Sequence, residues 1–292
     1  MSKTGIWIEA MRLRTLPVSV AGVVMGTALT IMYGECKALP ATLCLIFAIL
    51  AQIASNFANE YYDYKAGLDA PGREGPRRGV TEGDISPKAM KTATFITLGL
   101  ACVTGCCLVP PGEWWLYLAG VFIALGALAY STGPYPLSRH GLGEVAVFLF
   151  FGIIPVNLTF YVQTLHWDLT ALFASFSVGL MGANVIIVNN YRDCEADRSV
   201  GKRTLAVILG RRTLAALYLF NGFIAVALML PLWLLLPPVS WIVPVLYLVA
   251  HTAIWWRMSL LEGRRLNPLL GMTAIAMALY AIGTLITAIS II

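Results

Sequence analysis

Long runs without a charged residue occur along the whole chain and predict helices long enough to cross a membrane. Aspartate, glutamate, lysine and arginine are absent from residues 15–34, 38–59, 92–112, 114–138, 145–167, 169–191, 213–256 and 266–292. A spanning helix needs about 20 consecutive apolar residues, so seven of these runs fit one helix each. The run 213–256 is about twice as long and contains Pro237 and Pro238, where a helix must end. The pattern therefore predicts an all-α, polytopic membrane protein with nine transmembrane helices.

The composition supports this prediction and argues against a soluble globular protein. Of the 292 residues, 59% are hydrophobic and only 12% are charged, and the mean hydropathy is +0.77. We expect residues 1–292 to form a single integral membrane domain. Trp7 and Glu9 interrupt the N-terminal segment, which favours an interfacial helix over a cleaved signal peptide.

Basic residues fall almost entirely on one side of the predicted helices. With the N-terminus inside, the cytoplasmic segments carry every one of the 20 lysines and arginines except Lys37. Lysine and arginine in short loops stay on the cytoplasmic side, so the pattern predicts a multi-pass protein of the plasma membrane with a cytoplasmic N-terminus. The net charge of +5 then reflects topology and attraction to the lipid bilayer, and we expect no nucleic-acid partner.

Two acidic segments follow uncharged runs at the predicted cytoplasmic face. The first, "NEYYDYKAGLD", begins at Asn59, and the second, "NNYRDCEADRSVGKRTLAV", begins at Asn189. In each segment an aspartate, Asp63 or Asp193, follows the asparagine by four residues. A charged group near bilayer depth costs at least a few kcal/mol, so it is retained mainly where it has a function or a partner. We interpret the two segments as an internal repeat of helix, acidic end and basic loop.

The repeat predicts two oxygen-rich helix faces. If each helix continues past the membrane boundary, Asn56, Asn59 and Asp63 share one face, and Asn189, Asp193 and Asp197 share another. Oxygen ligands of this kind suit Mg²⁺, which binds through a few carboxylates and completes its shell with substrate phosphates. The cysteines and histidines show no metal-type spacing, so a zinc or redox enzyme is not expected. The predicted metal ligands are Asn59, Asp63, Asp69, Asn189, Asp193 and Asp197.

Basic residues beside these acids are predicted to neutralise the phosphates. Arg192 adjoins Asp193, and Lys202 follows the flexible Gly201, so both side chains are expected to contact a diphosphate directly. Arg77, Arg78 and Arg203 offer further positive charge near the same acids.

The segments resemble the two aspartate-rich motifs of the UbiA superfamily of intramembrane prenyltransferases. The ending D-Y-x-x-G-x-D of the first and the stretch G-K-x-T-L-A-V of the second are similar to the branch that acts on 1,4-dihydroxy-2-naphthoate. Further matching stretches are "RLRTLPVSVAG", "GPRRGVTEGDISP" and "YSTGPYPLSRHGLGEVAVFLFFG". The resemblance extends from Arg12 to about Gly210, and Glu60 stands where the family usually has aspartate.

This resemblance implies a nine-helix bundle with a central cavity open to the cytoplasmic face. The implied reaction is the Mg²⁺-dependent transfer of a polyprenyl group from its diphosphate to the naphthoate, with loss of CO₂, giving demethylmenaquinone in menaquinone biosynthesis. The implied catalytic residues are Asp63, Asp193, Arg192, Lys202 and Tyr130. The implied substrate-binding residues are Asn59, Asn189, Arg139, Arg77 and Arg78.

Several alternatives stay open at this point. The acceptor in the same chemistry can be another aromatic acid such as 4-hydroxybenzoate, and the prenyl chain length and the oligomeric state are not defined by the sequence. An ion-coupled transporter with internal repeats is a further alternative, although the acids lie at one membrane face and not at mid-span. For Glu60, Glu195 and Arg198 we favour ordinary solvation or ion pairing at the boundary.

Overall fold

The computed structural model describes residues 2–69 and 75–291, and the regular structure in these two ranges is helical, without a strand. The helices are α1 (Lys3–Ala10), α2 (Leu16–Met32), α3 (Ala38–Lys65), α4 (Pro87–Cys106), α5 (Trp115–Ala129), α6 (Gly143–Val147), α7 (Ile154–Thr164), α8 (Leu169–Ser199), α9 (Leu205–Leu228), α10 (Leu230–Leu235), α11 (Ile242–Leu260) and α12 (Asn267–Ser290). The predicted all-α class is confirmed.

The predicted number of spanning helices agrees approximately with the structure. In the described ranges, eight helical segments are long and apolar enough to cross a membrane: Lys3–Met32, Ala38–Lys65, Pro87–Cys106, Gly143–Thr164, Leu169–Ser199, Leu205–Leu228, Pro238–Leu260 and Gly263–Ser290. The predicted break at Pro237 and Pro238 is confirmed, because α10 ends before these prolines and α11 begins after them. Helix α5 is a shorter apolar helix of 15 residues, which at 1.5 Å per residue is about 22 Å long and falls short of a bilayer core.

The loop after α5 explains why this helix is short. Gly133, at φ 99°, and the prolines Pro134 and Pro136 prevent the helix from continuing. The chain then turns back, and the Ser138 amide donates to the Tyr130 carbonyl at 3.0 Å. The loop 130–142 therefore folds against the bundle, where it brings polar groups next to α3.

Helices α3 and α8 continue beyond the uncharged runs, as the repeat predicted. Helix α3 has 28 residues and α8 has 31, so both acidic segments begin as regular helix. Helix α3 ends just before Gly67, and α8 ends just before Gly201, and both glycines have a left-handed backbone. Each helix therefore carries its asparagine and aspartate side chains on one face, with the chain reversing directly afterwards.

Helix α8 lies at the centre of the bundle. Of its most apolar stretch, 72% is buried inside the protein, against 17% for the corresponding stretch of α3. The main core cluster combines fully buried side chains from several helices, among them Met25, Phe160, Met181, Trp233 and Tyr280. Helices α2, α7 and α12 pack around α8, whereas α3 and α4 present more of their surface outwards.

A segment of π-helix, Phe148–Ile153, joins α6 to α7 and passes unusually close to α8. A Cβ atom added at Gly152 would lie 2.3 Å from the Gly179 Cα and 2.5 Å from the Ser175 carbonyl oxygen. These atoms belong to backbone and cannot move aside as a flexible side chain would. The two backbones can approach only because both facing positions are glycine.

We expect Gly152→Ala to destabilise the protein by about 1–3 kcal/mol, because a methyl group overpacks this contact. The measurement is thermal unfolding of the purified protein in detergent. Gly99→Ala is the matched control, since nothing lies within 4 Å of a Cβ at that helical position. An unfolding temperature for Gly152→Ala as high as that of the control would contradict the close backbone contact.

Candidate active site

A cavity of about 460 Å³ lies where the ends of α3 and α8 face each other. Nine of the twelve predicted site residues line it: Asn59, Asp63, Arg78, Tyr130, Asn189, Arg192, Asp193, Asp197 and Lys202. The structure thus brings both acidic segments, which are far apart in sequence, to one polar space.

The first acidic face is organised by the Asn59 side chain. Its Nδ2 donates to Asp63 Oδ2 at 3.1 Å and to Ser131 Oγ at 3.0 Å. Its Oδ1 accepts hydrogen bonds from Arg12 Nη2 at 2.9 Å and from Arg78 Nη2 at 3.0 Å. The amide is held in one orientation by four partners, and it ties α3 to the N-terminal segment and to both neighbouring loops.

Three cations surround the buried Asp63 carboxylate, which is 2% exposed as a residue. The nearest nitrogens are Arg139 Nη2 at 3.3 Å, Lys202 Nζ at 3.6 Å and Arg78 Nη2 at 3.9 Å. An ionised carboxylate buried without a partner would be strongly unfavourable, so these cations stabilise the charge of Asp63.

The second acidic face is organised by Arg192. Its Nε and Nη2 donate to the two oxygens of Asp193, both at 2.7 Å, which is a bidentate pair. Nη2 also donates to Asn189 Oδ1, and Nη1 donates to Asn267 Oδ1, each at 2.8 Å. The guanidinium is therefore engaged on all three nitrogens by protein groups, in a residue that is 2% exposed.

Lys202 joins the two faces. Its Nζ lies 3.6 Å from Asp63 Oδ2 and 4.0 Å from Asp197 Oδ1. Gly201, at φ 74°, turns the chain back after α8, and the Lys202 amide donates to the Asp197 carbonyl at 2.9 Å. One ammonium group thus stands between carboxylates of both segments.

The remaining predicted residues lie beside the cavity and not on its wall. Asp69 pairs with Arg78, whose Nε is 3.3 Å away, and thereby helps to orient that arginine. Arg139 reaches Asp63 from behind the wall and also donates to the Ser131 carbonyl at 3.0 Å. Arg77 forms an ion pair with Asp84 in the first loop, where its side chain is 37% exposed.

The donor set fits Mg²⁺ only together with a bound anion. In the described parts of the chain, no group of three or more His, Cys, Asp and Glu side chains gathers around one point. The first face offers the Asp63 carboxylate, because both lone pairs of Asn59 Oδ1 already accept from Arg12 and Arg78. The second face offers oxygens of Asn189, Asp193 and Asp197, and a carboxylate that binds an arginine bidentately keeps further lone pairs. Since Mg²⁺ is commonly held by one or two carboxylates plus substrate phosphates, these residues fit a joint Mg²⁺–diphosphate complex.

A buried nitrogen donor on the cavity wall, on Arg78, would suit the phosphates of such a complex, and a second buried donor lies behind the wall on Arg139. Within the described residues, Arg78 Nη1 and Arg139 Nε are buried and make no hydrogen bond. A buried donor without an acceptor is costly, and both nitrogens belong to guanidinium groups that already flank Asp63.

Several cavity-lining polar residues were not predicted as site residues from the sequence, among them Arg12, Asn190 and Asn267. Arg12 holds a left-handed backbone at φ 51°, uncommon for a residue other than glycine, and donates to Asn59. Asn190 donates to Glu144 Oε1 at 2.7 Å, and Asn267 accepts from Arg192. The stretch "RLRTLPVSVAG" was noted only for its resemblance to the family, and nothing in the sequence indicates the left-handed backbone of Arg12.

A second, apolar cavity of about 150 Å³ adjoins the polar one. The two share five lining residues: Gln52, Ser55, Tyr130, Val147 and Phe151. The rest of the apolar wall comes mainly from α3, α5 and α7, with aliphatic and aromatic side chains. A ligand with an anionic head and an apolar tail would place each part in the matching cavity.

Comparison with known proteins gives consistent results. The model of the UbiA prenyltransferase family matches residues 19–269. The 1,4-dihydroxy-2-naphthoate octaprenyltransferase of Escherichia coli is 38% identical over 78% of this chain and 77% of its own length. The protein of the same name from Mycobacterium tuberculosis is 34% identical over 97% of this chain and 96% of its own length. A UbiA homolog from Archaeoglobus fulgidus, solved with DMAPP and Mg²⁺, has a TM-score of 0.67 at 18% identity, covering 96% of this chain and 99% of that one.

We expect Lys202→Ala to weaken Mg²⁺-dependent binding of inorganic pyrophosphate by about 10-fold. The variant lacks the ammonium group that stands between both acidic faces and is expected to contact a phosphate by a charge-assisted hydrogen bond. Isothermal titration calorimetry in detergent measures the dissociation constant. Lys88→Ala is the control, since it removes the same charge from an exposed position at the start of α4. Equal dissociation constants for the two variants would leave Lys202 only a topological role.

Proposed function

The chain belongs to the UbiA prenyltransferase family, and from this premise we propose that it transfers a polyprenyl group from its diphosphate to 1,4-dihydroxy-2-naphthoate. CO₂ is lost, and the product is the quinol form of demethylmenaquinone. The observation that carries the proposal is a cavity with two acidic helix faces, in a chain 34% identical over 97% of its length to a naphthoate octaprenyltransferase. The proposal treats residues 1–292 as one domain.

The polar cavity is assigned to the diphosphate and its metal ion. Mg²⁺, bound with the diphosphate at Asp63, Asn189, Asp193 and Asp197, would supply charge neutralisation to the leaving group. Asn59, expected from the sequence to be a ligand, is instead assigned to holding Asp63 in place, because its Oδ1 already accepts from Arg12 and Arg78. The UbiA homolog solved with DMAPP and Mg²⁺ shares this fold and supports the assignment. Asp69 is assigned a supporting role through Arg78, to which it is paired.

The chain's own cations assist departure of the diphosphate. When the C1–O bond of the prenyl group breaks, its electron pair moves to the diphosphate oxygen, and negative charge grows there. Lys202 and Arg78 line the cavity and Arg139 stands behind Asp63, so preorganised positive charge faces this developing charge. Such groups need no reorientation during the reaction, which is the source of their catalytic effect.

The apolar cavity is assigned to the prenyl chain. Tyr130 and Phe151 line both cavities, so aromatic rings stand where the anionic head and the apolar tail of the substrate meet. An aromatic face stabilises a nearby cation, and the apolar wall keeps water from the allylic cation until the ring carbon attacks.

The acceptor reacts at the ring carbon that bears the carboxylate. This carbon forms the new C–C bond to the allylic cation, and the carboxylate then leaves as CO₂. The electron pair of the broken C–C bond returns to the ring and restores aromaticity. Diphosphate and CO₂ are the released products, and the reaction needs no oxidant.

The protein is a multi-pass membrane protein, and we assign it to the plasma membrane. All basic residues except Lys37 fall on the predicted N-terminal side, which supports a cytoplasmic N-terminus and a cavity open to the cytoplasm. The transporter alternative is disfavoured by the family and by the position of the acids at one end of α3 and α8.

We expect purified protein given 1,4-dihydroxy-2-naphthoate labelled in its carboxyl group, Mg²⁺ and a long prenyl diphosphate to release labelled CO₂ in step with prenylated product. The stoichiometry follows from attack at the carboxylated carbon. The parallel reaction with 4-hydroxybenzoate, attacked at an unsubstituted carbon, would lose only a proton. Prenylation of 4-hydroxybenzoate with the naphthoate ignored would overturn the acceptor and leave the prenyl transfer standing.

We expect Asp63→Asn and Asp193→Asn to lower turnover by on the order of 10²-fold or more, because charge stabilisation in the transition state is lost. Glu195→Gln is the matched control, since Glu195 is exposed and pairs with Arg198 on the surface of α8. The turnover of each variant is measured by steady-state kinetics at limiting Mg²⁺. Near-normal turnover of both aspartate variants would exclude them from the metal site.

A further inference from the structure

The last helix contributes one polar side chain to the cavity, although the resemblance seen in the sequence ends near Gly210. Asn267 is the first residue of α12 and lines the 460 Å³ cavity. Its Oδ1 accepts a hydrogen bond from Arg192 Nη1 at 2.8 Å, across 75 residues of sequence. The C-terminal part of the chain is thereby connected to the second acidic segment.

The position of Asn267 is fixed by packing on both sides. Its neighbour Leu266 is 1% exposed and Leu269 is fully buried, and both belong to one core cluster with residues of α8 and α9. The backbone that carries the amide is therefore held by the core and not by a mobile loop. A hydrogen bond from such an anchor restrains its partner strongly.

Asn267 is the partner through which the Arg192 guanidinium contacts α12. The Nε and Nη2 of Arg192 donate to Asp193, and Nη2 also donates to Asn189, so these partners all belong to α8, the helix that carries Arg192. Asn267 holds the remaining nitrogen, Nη1, from the opposite helix. Without it, the guanidinium would be held only by residues of its own helix, with no hydrogen bond that fixes it relative to α12.

We propose that Asn267 is a positioning residue, which fixes Arg192 in the plane that binds Asp193 and thereby sets the orientation of the Asp193 carboxylate towards Mg²⁺–diphosphate. The inference rests on the proposed function in assigning Asp193 to that complex. A displacement of about 1 Å at a charged group in a site can cost on the order of 10²-fold in rate. A neutral amide suits this role, because it accepts from Arg192 without competing with Asp193 for the positive charge.

A double-mutant cycle on ligand binding tests the inference. The dissociation constant of inorganic pyrophosphate in the presence of Mg²⁺ is measured by calorimetry for the wild type, Asn267→Ala, Arg192→Lys and the double variant. We expect Asn267→Ala to weaken binding by about 10-fold in the wild-type background and by less than about 2-fold in the Arg192→Lys background. Equal losses in both backgrounds, or no loss from Asn267→Ala, would overturn the inference.

Two further variants distinguish a positioning role of Asn267 from a general effect on stability. Asn221→Ala removes a hydrogen bond between α9 and α8, from Asn221 Nδ2 to Asn184 Oδ1 at 3.0 Å, away from the cavity, and should bind pyrophosphate normally. Asn267→Ser keeps a small polar group at the helix start and should show the same non-additivity if the alanine variant does not fold. A loss of binding in Asn221→Ala as large as in Asn267→Ala would show a general effect of stability and refute positioning.

The readout also distinguishes this inference from the proposed function. Pyrophosphate binding requires neither the acceptor nor a prenyl chain, so a wrong acceptor would appear as absent CO₂ release with the cycle intact. Wild-type protein that binds no Mg²⁺–pyrophosphate would overturn the metal assignment and this inference together.

Discussion

Carboxylates buried at the ends of two apolar helices must be paired with positive charge, and the arrangement of the cavity follows from this constraint. Asp63 is met by Arg78, Arg139 and Lys202, and Asp193 is met by Arg192. Breaking such a pair would leave an uncompensated charge at a cost of several kcal/mol. The acidic faces can therefore persist at the membrane boundary only if the loops fold back to bring these cations to them.

The need to pair the buried carboxylates also explains the role of side chains outside the cavity, which hold the loops that carry the cations. The fully buried Glu60 accepts the Val80 amide at 3.0 Å, which fixes the first loop two residues after Arg78. Glu60 therefore anchors a loop, whereas the sequence favoured ordinary solvation or ion pairing at the boundary. In contrast, Glu195 and Arg198 form an exposed ion pair on α8, as the sequence favoured.

The sequence predicted those features that depend on local pattern. Uncharged runs gave the helices, the two prolines gave the break before α11, and matched spacing placed two acidic faces on α3 and α8. The early end of α5 was not predicted, because the uncharged run continues to Ser138 while Gly133 and the prolines end the helix first. The contact between Arg192 and Asn267 was also not predicted, because the two residues are 75 positions apart and only tertiary packing brings them together.

The charge on the cavity wall indicates how metal and substrate depend on each other. In the described residues, the wall carries four carboxylates and five cations: Glu9, Asp63, Asp193 and Asp197 against Arg12, Arg14, Arg78, Arg192 and Lys202. This near balance leaves little attraction for a lone divalent cation and gives only partial compensation for a diphosphate, which brings several negative charges. A diphosphate and Mg²⁺ bound together change the net charge far less than either does alone. Joint binding therefore keeps the desolvated carboxylates and arginines compensated, which neither ligand achieves separately.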